Sequence, residues 1–160
     1  MKKIKLTKGQ YTLVDNEDFE RLNAYRWYIM WNKTTKSFYA MRNSKLVNGK
    51  YKTIHMAREI MQPPAKMVVD HINHDTLNNQ RKNLRICTYS QNLMNRGKTS
   101  KNTSGFKGVC FYKVRKKWGA HIMVNQKQTY LGLFATPLLA YKAYCTACIK
   151  YHGEFSNIKH

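Results

Sequence analysis

The sequence predicts an α+β protein made of two small units, and three patterns of residues carry that prediction. Residues 1–62 contain short alternating apolar stretches separated by turn-forming residues, which indicates a β-rich segment. Residues 66–96 follow the order strand, loop, strand, helix. Residues 107–160 follow the order of three alternating strands and one helix, and a chain of 160 residues suffices for two modest cores.

The β-rich segment also contains signals for two helices and two hairpins. Asp15 or Asn16 is a suitable N-cap for a short first helix, and a second helix over 56–61 stops at a Pro-Pro pair. Asn48-Gly49 is a strong two-residue turn for the second hairpin. The strands are predicted over residues 3–6, 11–14, 27–31, 38–42, 45–47 and 51–55.

The middle segment begins with a short apolar strand, 67–69, that ends at Asp70-His71. A polar loop rich in Asn leads to a second strand over 84–87. Thr88 with Gln91 three residues later is a capping-box pattern, so a helix is expected over 89–96. Asp70 and His71 therefore stand at the end of a strand, and Gln91 and Asn92 stand in the first turns of a helix.

The C-terminal third starts after a basic linker, 97–106, that is poor in apolar residues and rich in turn formers. Three alternating strands are expected over 108–113, 117–125 and 128–134, and a helix over 137–152. Thr136 is suited to cap that helix and Gly153 to end it. These patterns predict a three-stranded antiparallel sheet packed on one helix.

The strong positive charge of the chain indicates a nucleic-acid partner. Lys and Arg number 29 against 8 Asp and Glu, which gives a formal charge of +21 and a pI near 10.0. Only Asp70, Asp75 and Glu154 follow the Pro63-Pro64 pair. A membrane surface is disfavoured, because no stretch approaches the roughly 20 apolar residues of a spanning helix.

The four cysteines fit neither a zinc site nor a disulfide framework well. Cys145 and Cys148 fall in a helical pattern, and Cys87 and Cys110 have no Cys or His partner at zinc-binding spacing. Reduced, partly buried thiols are expected.

Asp70, His71 and Asn92 form a candidate catalytic set. An imidazole titrates near neutral pH and suits a general base. Asp70 points away from His71 in strand geometry, and Asn92 lies one turn inside the predicted helix, so a carboxylate and an amide oxygen are available for one divalent ion. Such oxygen ligands favour Mg²⁺ or Mn²⁺ over zinc.

The same segment contains Val68-Val69-Asp70-His71-Ile72-Asn73, Asn79, Arg81, Asn83-Leu84-Arg85, Gln91-Asn92 and Asn95. This set resembles the HNH motif of phage and intron-associated homing endonucleases, and with the upstream 55–58 stretch the resemblance covers most of residues 1–96. It implies a ββα-metal core over 66–96. It also implies Asp70 and Asn92 as metal ligands, His71 as general base, and Asn83 as the residue that steadies the loop and the ring of the base.

Two departures from the HNH pattern concern the ligands and the loop. The final His of the motif is Asn92 here, and Asn73-His74-Asp75 replaces a usual Asn-Gly turn. His74 has two readings, a second metal or phosphate ligand and a solvent-exposed loop residue, and the exposed loop is preferred.

The C-terminal residues Gly108-Val109, 118–122, 130–134, 140–141 and 153–157 resemble the plant ethylene-response-factor DNA-binding domain over about 103–158. The resemblance implies an ERF-like domain over 107–160 whose outer sheet face enters the major groove. One face, including Phe111, Leu131, Leu133 and Leu139, is expected to be core. The expected DNA contacts are Arg81, Arg85, Arg96, Lys107, Tyr112, Lys113, Arg115, Lys116, Lys117, His121, Met123, Gln128 and Tyr130.

Together these patterns and the resemblance predict a site-selective, divalent-metal-dependent DNA endonuclease. The resemblance implies products with a 5′-phosphate and a 3′-hydroxyl, and a cytoplasmic protein of a bacterial or phage-infected cell, associated with the nucleoid, is expected. One such site cuts one strand, so nicking by a monomer and double-strand cleavage by a homodimer both stay open. The alternative is a catalytically silent DNA-binding regulator. An RNA-binding protein is disfavoured, because no aromatic stacking platform of the RRM type is evident.

Overall fold

The structure, a computed structural model, describes residues 1–45 and 49–158. Contacts divide the chain into two units, Met1–Thr88 and Tyr89–His160, each with a core of its own. The division falls before the helix that the sequence assigned to the first unit, and residues 97–106 lie inside the second. The three functional segments expected from the sequence, 1–96, 97–106 and 107–160, stay a prediction. Among the described helices, none combines the length and apolarity needed to cross a bilayer.

The first unit contains three small antiparallel sheets and two helices. The strands pair as β1 with β2, β3 with β4 and β5, and β6 with β7. The expected strand over 45–47 and the expected Asn48-Gly49 turn lie partly outside the described residues, because 46–48 are not among them. The element bounds are β1 Lys2–Lys5, β2 Tyr11–Val14, α1 Asn16–Asn23, β3 Tyr28–Asn32, β4 Ser37–Asn43, β5 Thr53–His55, α2 Met56–Met61, β6 Val68–His71 and β7 Leu84–Cys87.

The core of the first unit gathers apolar residues from all three sheets and both helices. Ile4, Val14, Leu22, Met56 and Leu84 are all at most 4% exposed. Burial of side chains of this size contributes about 1.5–3 kcal/mol each. The polar loop that links β6 to β7 is thereby held against a packed body.

Helix α1 is attached to the 72–83 loop through its acidic first turn. Asp15 occupies the N-cap position, but its carboxylate accepts hydrogen bonds from Gln80 Nε2 at 3.0 Å and from the Arg81 backbone N–H at 2.7 Å. The Arg81 guanidinium donates to Asp18 at 2.8 and 2.9 Å. The expected cap residue therefore serves a tertiary contact, and no side-chain cap bond is made to the helix itself.

The second unit consists of a short helix, a three-stranded antiparallel sheet in the order β10-β9-β8, and a long helix. Thr136 Oγ1 accepts from the Leu139 N–H at 3.2 Å and caps the long helix, which ends at Gly153 with φ of +53°, so both expected end signals are confirmed. The bounds are α3 Tyr89–Asn95, β8 Val109–Tyr112, β9 Lys117–Val124, β10 Lys127–Phe134 and α4 Pro137–His152.

The core of the second unit lies between the sheet and α4, as the alternation predicted, but three expected members were wrong. A bulge between Tyr130 and Gly132 shifts the register, so that Leu133 stands opposite Gly119 and Phe134 joins the core in its place. Leu139 is 46% exposed, and Phe111, at the end of the sheet, is 45% exposed. A bulge is a local insertion that strict alternation along a strand does not anticipate.

Gly108 and Gly105 provide a matched pair for testing how closely α4 packs on the sheet. Both have positive φ, +75° and +79°. A methyl group on Gly108 would overlap the Tyr144 ring and lie 2.6 Å from the His121 carbonyl oxygen, whereas nothing lies within 4 Å of one on Gly105. Gly105→Ala is expected to cost about 1–2 kcal/mol of unfolding free energy from backbone strain alone.

Gly108→Ala is expected to cost about 1–3 kcal/mol more, because overpacking adds to the same strain. Urea unfolding followed by circular dichroism measures both variants. Equal losses in the two would show that α4 does not press on the sheet at Gly108.

Candidate active site

The β6–β7 hairpin brings the first two candidate residues to one strand end. Its register places Asp70 opposite Arg85 and His71 opposite Leu84. Asp70 is 6% exposed and His71 is 7% exposed. Because successive strand residues point to opposite faces, the carboxylate and the imidazole leave the strand on different sides.

The imidazole of His71 is held by a buried chain of hydrogen bonds that reaches β2. The His71 Nε2 lies 3.1 Å from Asn79 Oδ1, Asn79 Nδ2 donates to Thr12 Oγ1 at 2.8 Å, and Thr12 Oγ1 donates to the Leu77 carbonyl at 2.6 Å. Asn79 is 2% exposed and Thr12 is fully buried.

The direction of this chain assigns the tautomer of the ring. The Thr12 hydroxyl gives its proton to a carbonyl, so its oxygen accepts from the Asn79 amide, and Asn79 presents its carbonyl oxygen to the ring. His71 Nε2 must then carry the proton. The lone pair is on Nδ1, which is the nitrogen able to take a proton.

Burial keeps His71 in its neutral form. Desolvation lowers the pKa of His71 below its ordinary value, against the opposing effects of the Asn79 hydrogen bond and of the Asp70 charge. The ring of Tyr39 stands edge-on to the His71 ring, with 6.3 Å between centroids. The same Tyr39 ring is 6.0 Å from the His55 ring. A neutral imidazole at pH 7 is the form that a general base requires.

The Asn83 side chain binds three backbone groups of the loop, and Asn79 makes the described hydrogen bond with the His71 ring; the role of Asn83 in steadying that ring stays a prediction. The Asn83 side chain accepts from the Asn73 N–H at 3.0 Å and donates to the carbonyls of Asn78 at 2.8 Å and Asp75 at 3.3 Å. Asn79 is part of the motif, but the motif indicates no role for it. Its partner Thr12 lies 67 positions away, and no local pattern signals such a pair.

The 72–83 loop contains a tight turn at Asn73-His74-Asp75, where an Asn-Gly turn is usual in the motif. Asn73 Oδ1 accepts from the Asp75 N–H at 2.8 Å, and His74 has φ of +67°, the conformation for which glycine is ordinarily used. His74 is exposed, in keeping with the preferred reading. Further along, Leu13 and the loop exchange backbone hydrogen bonds of 2.9 Å at Leu77 and 2.8 Å at Asn79. The departure at His74 is therefore accommodated by the backbone.

Asp70 carries an ion pair that the sequence did not predict. Arg85 Nε and Nη2 lie 2.9 and 2.8 Å from Asp70 Oδ2. The Arg85 side chain is only 11% exposed and the Asp70 side chain 7%. This contact orients the carboxylate and offsets its charge. The guanidinium of Arg85, which was expected to contact DNA, is a structural partner of Asp70 in the described contacts.

Arg81, the other arginine of the motif, is also held by acids. Its guanidinium lies 2.8 Å from Asp18 and 2.7 Å from Glu17. Removal of one partner from such a pair leaves a charge without compensation, most severely at Asp18, whose side chain is 4% exposed. DNA contact by Arg81 and Arg85 stays a prediction beside these ion pairs.

The metal ligands expected from the sequence fall in different units. Asp70 lies in the first unit, and Asn92 lies on α3 in the second. Within residues 1–45 and 49–158, no group of three or more His, Cys, Asp and Glu side chains could hold a metal ion. The ligand roles of Asp70 and Asn92 stay a prediction.

The outer face of the C-terminal sheet presents the side chains that were expected to contact DNA. Cross-strand pairs join Tyr112 to Lys117, His121 to Tyr130 and Met123 to Gln128. The strand-turn residues Lys113, Arg115 and Lys116 are exposed.

An aromatic cluster on this face is ordered by its own contacts. The Tyr112 hydroxyl lies 2.9 Å from His121 Nε2, and the His121 and Tyr130 ring centroids are 5.3 Å apart. Gly119 makes the cluster possible, because any side chain there would overlap the Tyr112 ring. His121, Met123 and Gln128 also line a cavity of about 790 Å³ beside α3.

Lys107 and Arg96 differ in their surroundings. Arg96 is exposed. Lys107 Nζ donates to the Met94 carbonyl at 2.7 Å, near the end of α3, and burial lowers the pKa of Lys107. Asn157 Nδ2 donates to the Asn95 carbonyl at 2.6 Å, so two side chains hold the last turn of α3. The described contact of Lys107 is structural, and its contact with DNA stays a prediction.

Comparisons with known proteins point to nucleases and to plant transcription factors. A mimivirus protein described as an uncharacterized HNH endonuclease is 29% identical over 102 residues, which are 64% of this chain and 51% of that protein. Protein 3.8 of Escherichia phage T7 is 34% identical over 65 residues, 41% of this chain and 54% of its own length. The Arabidopsis AP2-like ethylene-responsive transcription factor TOE2 is 43% identical over 63 residues, 39% of this chain and 13% of that protein.

The chain spans about half the length of the viral and phage relatives that it matches. Residues 62–94 match the family model described as HNH endonuclease. This matched segment includes Asp70, His71, Asn79 and Asn83, the residues whose contacts were described above. Residues 62–94 are therefore similar to the HNH endonuclease family, and the AP2 similarity is a partial match.

Proposed function

We propose that this protein is a divalent-metal-dependent DNA endonuclease in which His71 is the general base. The observation that carries the proposal is the buried His71, whose Nε2 is fixed through Asn79 to Thr12 and whose strand neighbour is Asp70. This arrangement lies inside the segment that matches the HNH endonuclease model.

The chemistry of phosphodiester hydrolysis accounts for the groups present. A water molecule must lose a proton as it attacks phosphorus, and a neutral imidazole is able to accept that proton. Negative charge grows on the phosphoryl oxygens and on the departing sugar oxygen, so cationic stabilisation is needed there. The products are a 5′-phosphate and a 3′-hydroxyl.

One Mg²⁺ or Mn²⁺ ion per site is proposed to supply that cationic stabilisation. Asp70 and Asn92 would hold it, because a carboxylate and an amide oxygen are ligands that these ions prefer. The proposal includes a ββα-metal core made of β6, β7 and α3. Arg85 contributes by keeping the Asp70 carboxylate in one orientation.

The second candidate function is a DNA-binding regulator without catalysis, and the Asp70–Arg85 ion pair is the observation that favours it. A carboxylate that accepts two hydrogen bonds from a guanidinium is a weaker metal ligand than one that does not. The two functions differ in a single readout, cleavage of DNA in the presence of a divalent ion.

The C-terminal unit is proposed to be an ERF-like module that reads duplex DNA with its outer sheet face. The support is the partial similarity to AP2-like factors, the exposed face with His121 and Tyr130, and the lysines at the end of the sheet. A β-sheet can lie in the major groove, where side chains reach base edges and lysines bind phosphates. A monomer, with one site, would cut one DNA strand, and a homodimer, with two sites, would cut both.

Wild-type protein is expected to convert supercoiled plasmid to nicked or linear DNA with Mg²⁺ or Mn²⁺, and EDTA is expected to stop the reaction. His71→Ala should lower the cleavage rate by about 10²-fold or more, because no base remains, while DNA affinity in EDTA stays as in the wild type. Gel electrophoresis measures cleavage and fluorescence anisotropy measures affinity. Tight binding by the wild type without cleavage in either metal would favour the regulator.

Asn79 is expected to act on cleavage through His71. Asn79→Ala should lower kcat by about 10-fold or more without changing the Kd for DNA, because the ring loses its fixed orientation and tautomer. In the His71→Ala background the same change should have no further effect on kcat, since residues that work as a unit are not additive.

A double-mutant cycle of His71→Ala and Asn79→Ala, with thermal unfolding of each variant, measures this coupling. Independent, multiplicative losses would mean that Asn79 matters only for folding.

The C-terminal face makes a separate prediction about base readout. Lys116→Ala with Lys117→Ala should weaken binding to all sequences and reduce the slope of log affinity against log salt by about 0.9 per lysine. Gln128→Ala should instead alter the preference at about one base pair, by about 1–3 kcal/mol, with the same salt slope. Selection from a random duplex pool, followed by salt titration, measures both. Identical behaviour of the two variants would contradict base readout by this face.

A further inference from the structure

The hairpin of β3 and β4 in the first unit carries an exposed pair of aromatic rings. Register places Ile29 opposite Ala40 and Trp31 opposite Phe38, so all four side chains share one face of the hairpin. Ala40 is buried and Ile29 packs against the core, but Trp31 and Phe38 are 46% and 45% exposed. Their ring centroids are 4.7 Å apart. The end of the hairpin with Ile29 and Ala40 therefore covers the core, and the end with Trp31 and Phe38 projects beyond it.

The opposite face of the hairpin leads to the candidate active site. Met30 stands opposite Tyr39 and is 46% exposed, and the Tyr39 ring is 6.3 Å from the ring of His71. The Thr76 hydroxyl donates to the carbonyl of Phe38, which ties the strand to the 72–83 loop. The exposed end of the hairpin and the candidate base thus belong to one connected part of the first unit.

The tip of the hairpin is basic and internally ordered. Residues 28–43 contain Lys33, Lys36 and Arg42 but no Asp or Glu, and the two lysines are exposed in the turn. Asn32 Oδ1 accepts from the backbone N–H groups of Thr34 at 2.9 Å and Thr35 at 3.2 Å. The tip is therefore preorganised, and ordering it on binding costs little.

We propose that the β3–β4 hairpin is a DNA-contacting element that inserts Trp31 and Phe38 into a groove of the duplex. The inference rests on the proposed nuclease function and deepens it. Apolar rings flanked by lysines match the chemistry of a groove, in which thymine methyl groups and the faces of partly unstacked bases lie between two rows of phosphates. A two-stranded ribbon has the width that the major groove admits.

The charge of the chain selects DNA over a second copy of the protein as the occupant. With a formal charge of +21, two copies repel each other, and the hairpin offers no carboxylate to pair with the lysines of a partner. Two lysines at the tip gain instead by displacing counterions from phosphates.

Binding of the full-length protein to a labelled duplex tests the hairpin. The measurement uses the His71→Ala background in EDTA, so that the DNA stays intact. Trp31→Ala and Phe38→Ala are each expected to weaken binding by about 10-fold or more, by the loss of one aromatic contact to the bases, with an unchanged salt slope. Lys33→Ala with Lys36→Ala should reduce that slope by about 1.8. Duplex binding should also quench tryptophan fluorescence less in Trp31→Ala than in the parent.

Tyr151→Ala is the matched control. Tyr151 is an aromatic residue 44% exposed on α4, which packs on the core face of the C-terminal sheet. Its removal should change the Kd by less than about 2-fold, within the range of exposed substitutions that touch no partner. Thermal unfolding identifies any variant that fails to fold. If Trp31→Ala or Phe38→Ala fails to fold, the variant with Lys33→Ala and Lys36→Ala, whose side chains are exposed, tests the hairpin proposal instead.

Unchanged affinity in the folded Trp31, Phe38 and lysine variants would overturn the hairpin proposal. Plasmid cleavage by the wild type is scored separately. Cleavage by the wild type, together with unchanged affinity in the hairpin variants, would contradict only the hairpin proposal. Weakened binding in the hairpin variants, without cleavage by the wild type, would contradict the proposed nuclease function but support the DNA contact.

Discussion

The candidate site depends on one interaction, the hydrogen bond between His71 and Asn79, and on the buried contact of Asn79 with Thr12 behind it. A buried polar side chain is costly unless it is satisfied, so the loop can take its place only in the arrangement that pairs these groups. The backbone bonds between Leu13 and the loop act in the same sense. Strand β2, which has no chemistry of its own, thereby fixes the orientation of the candidate base.

The scarcity of acids in the chain is a second constraint, and the structure shows how the acids of the first unit are used. Asp18 and Glu17 hold Arg81, Asp70 holds Arg85, and Glu59 holds Arg42 through two hydrogen bonds of 2.9 Å. Arginine suits these places because its planar fork binds a carboxylate in a fixed geometry. Lysines supply most of the remaining exposed charge, which leaves compact, mobile cations for phosphate contacts.

Helix α3 is where the sequence and the structure divide the chain differently. The motif assigned it to the nuclease because Asn92 stands at the right distance from His71 along the chain. Its contacts group it with the C-terminal sheet, and Lys107 and Asn157 bind the carbonyls of its last turn. The proposed second metal ligand thus stands on a helix whose last turn is held by side chains of the second unit.

The sequence by itself determined most element positions and the adjacency of Asp70 and His71 at a strand end. Helix 56–61, strand 84–87 and helix 137–152 have the predicted bounds, because periodicity, caps and prolines act over a few residues. Tertiary structure alone decided that Asn79 holds the imidazole, that Arg81 and Arg85 form ion pairs, and that a bulge turns Leu133 out of the core. The physical reason is distance along the chain: Thr12 and Asn79 are 67 positions apart and Asp18 and Arg81 are 63 apart, so only the folded chain brings them together.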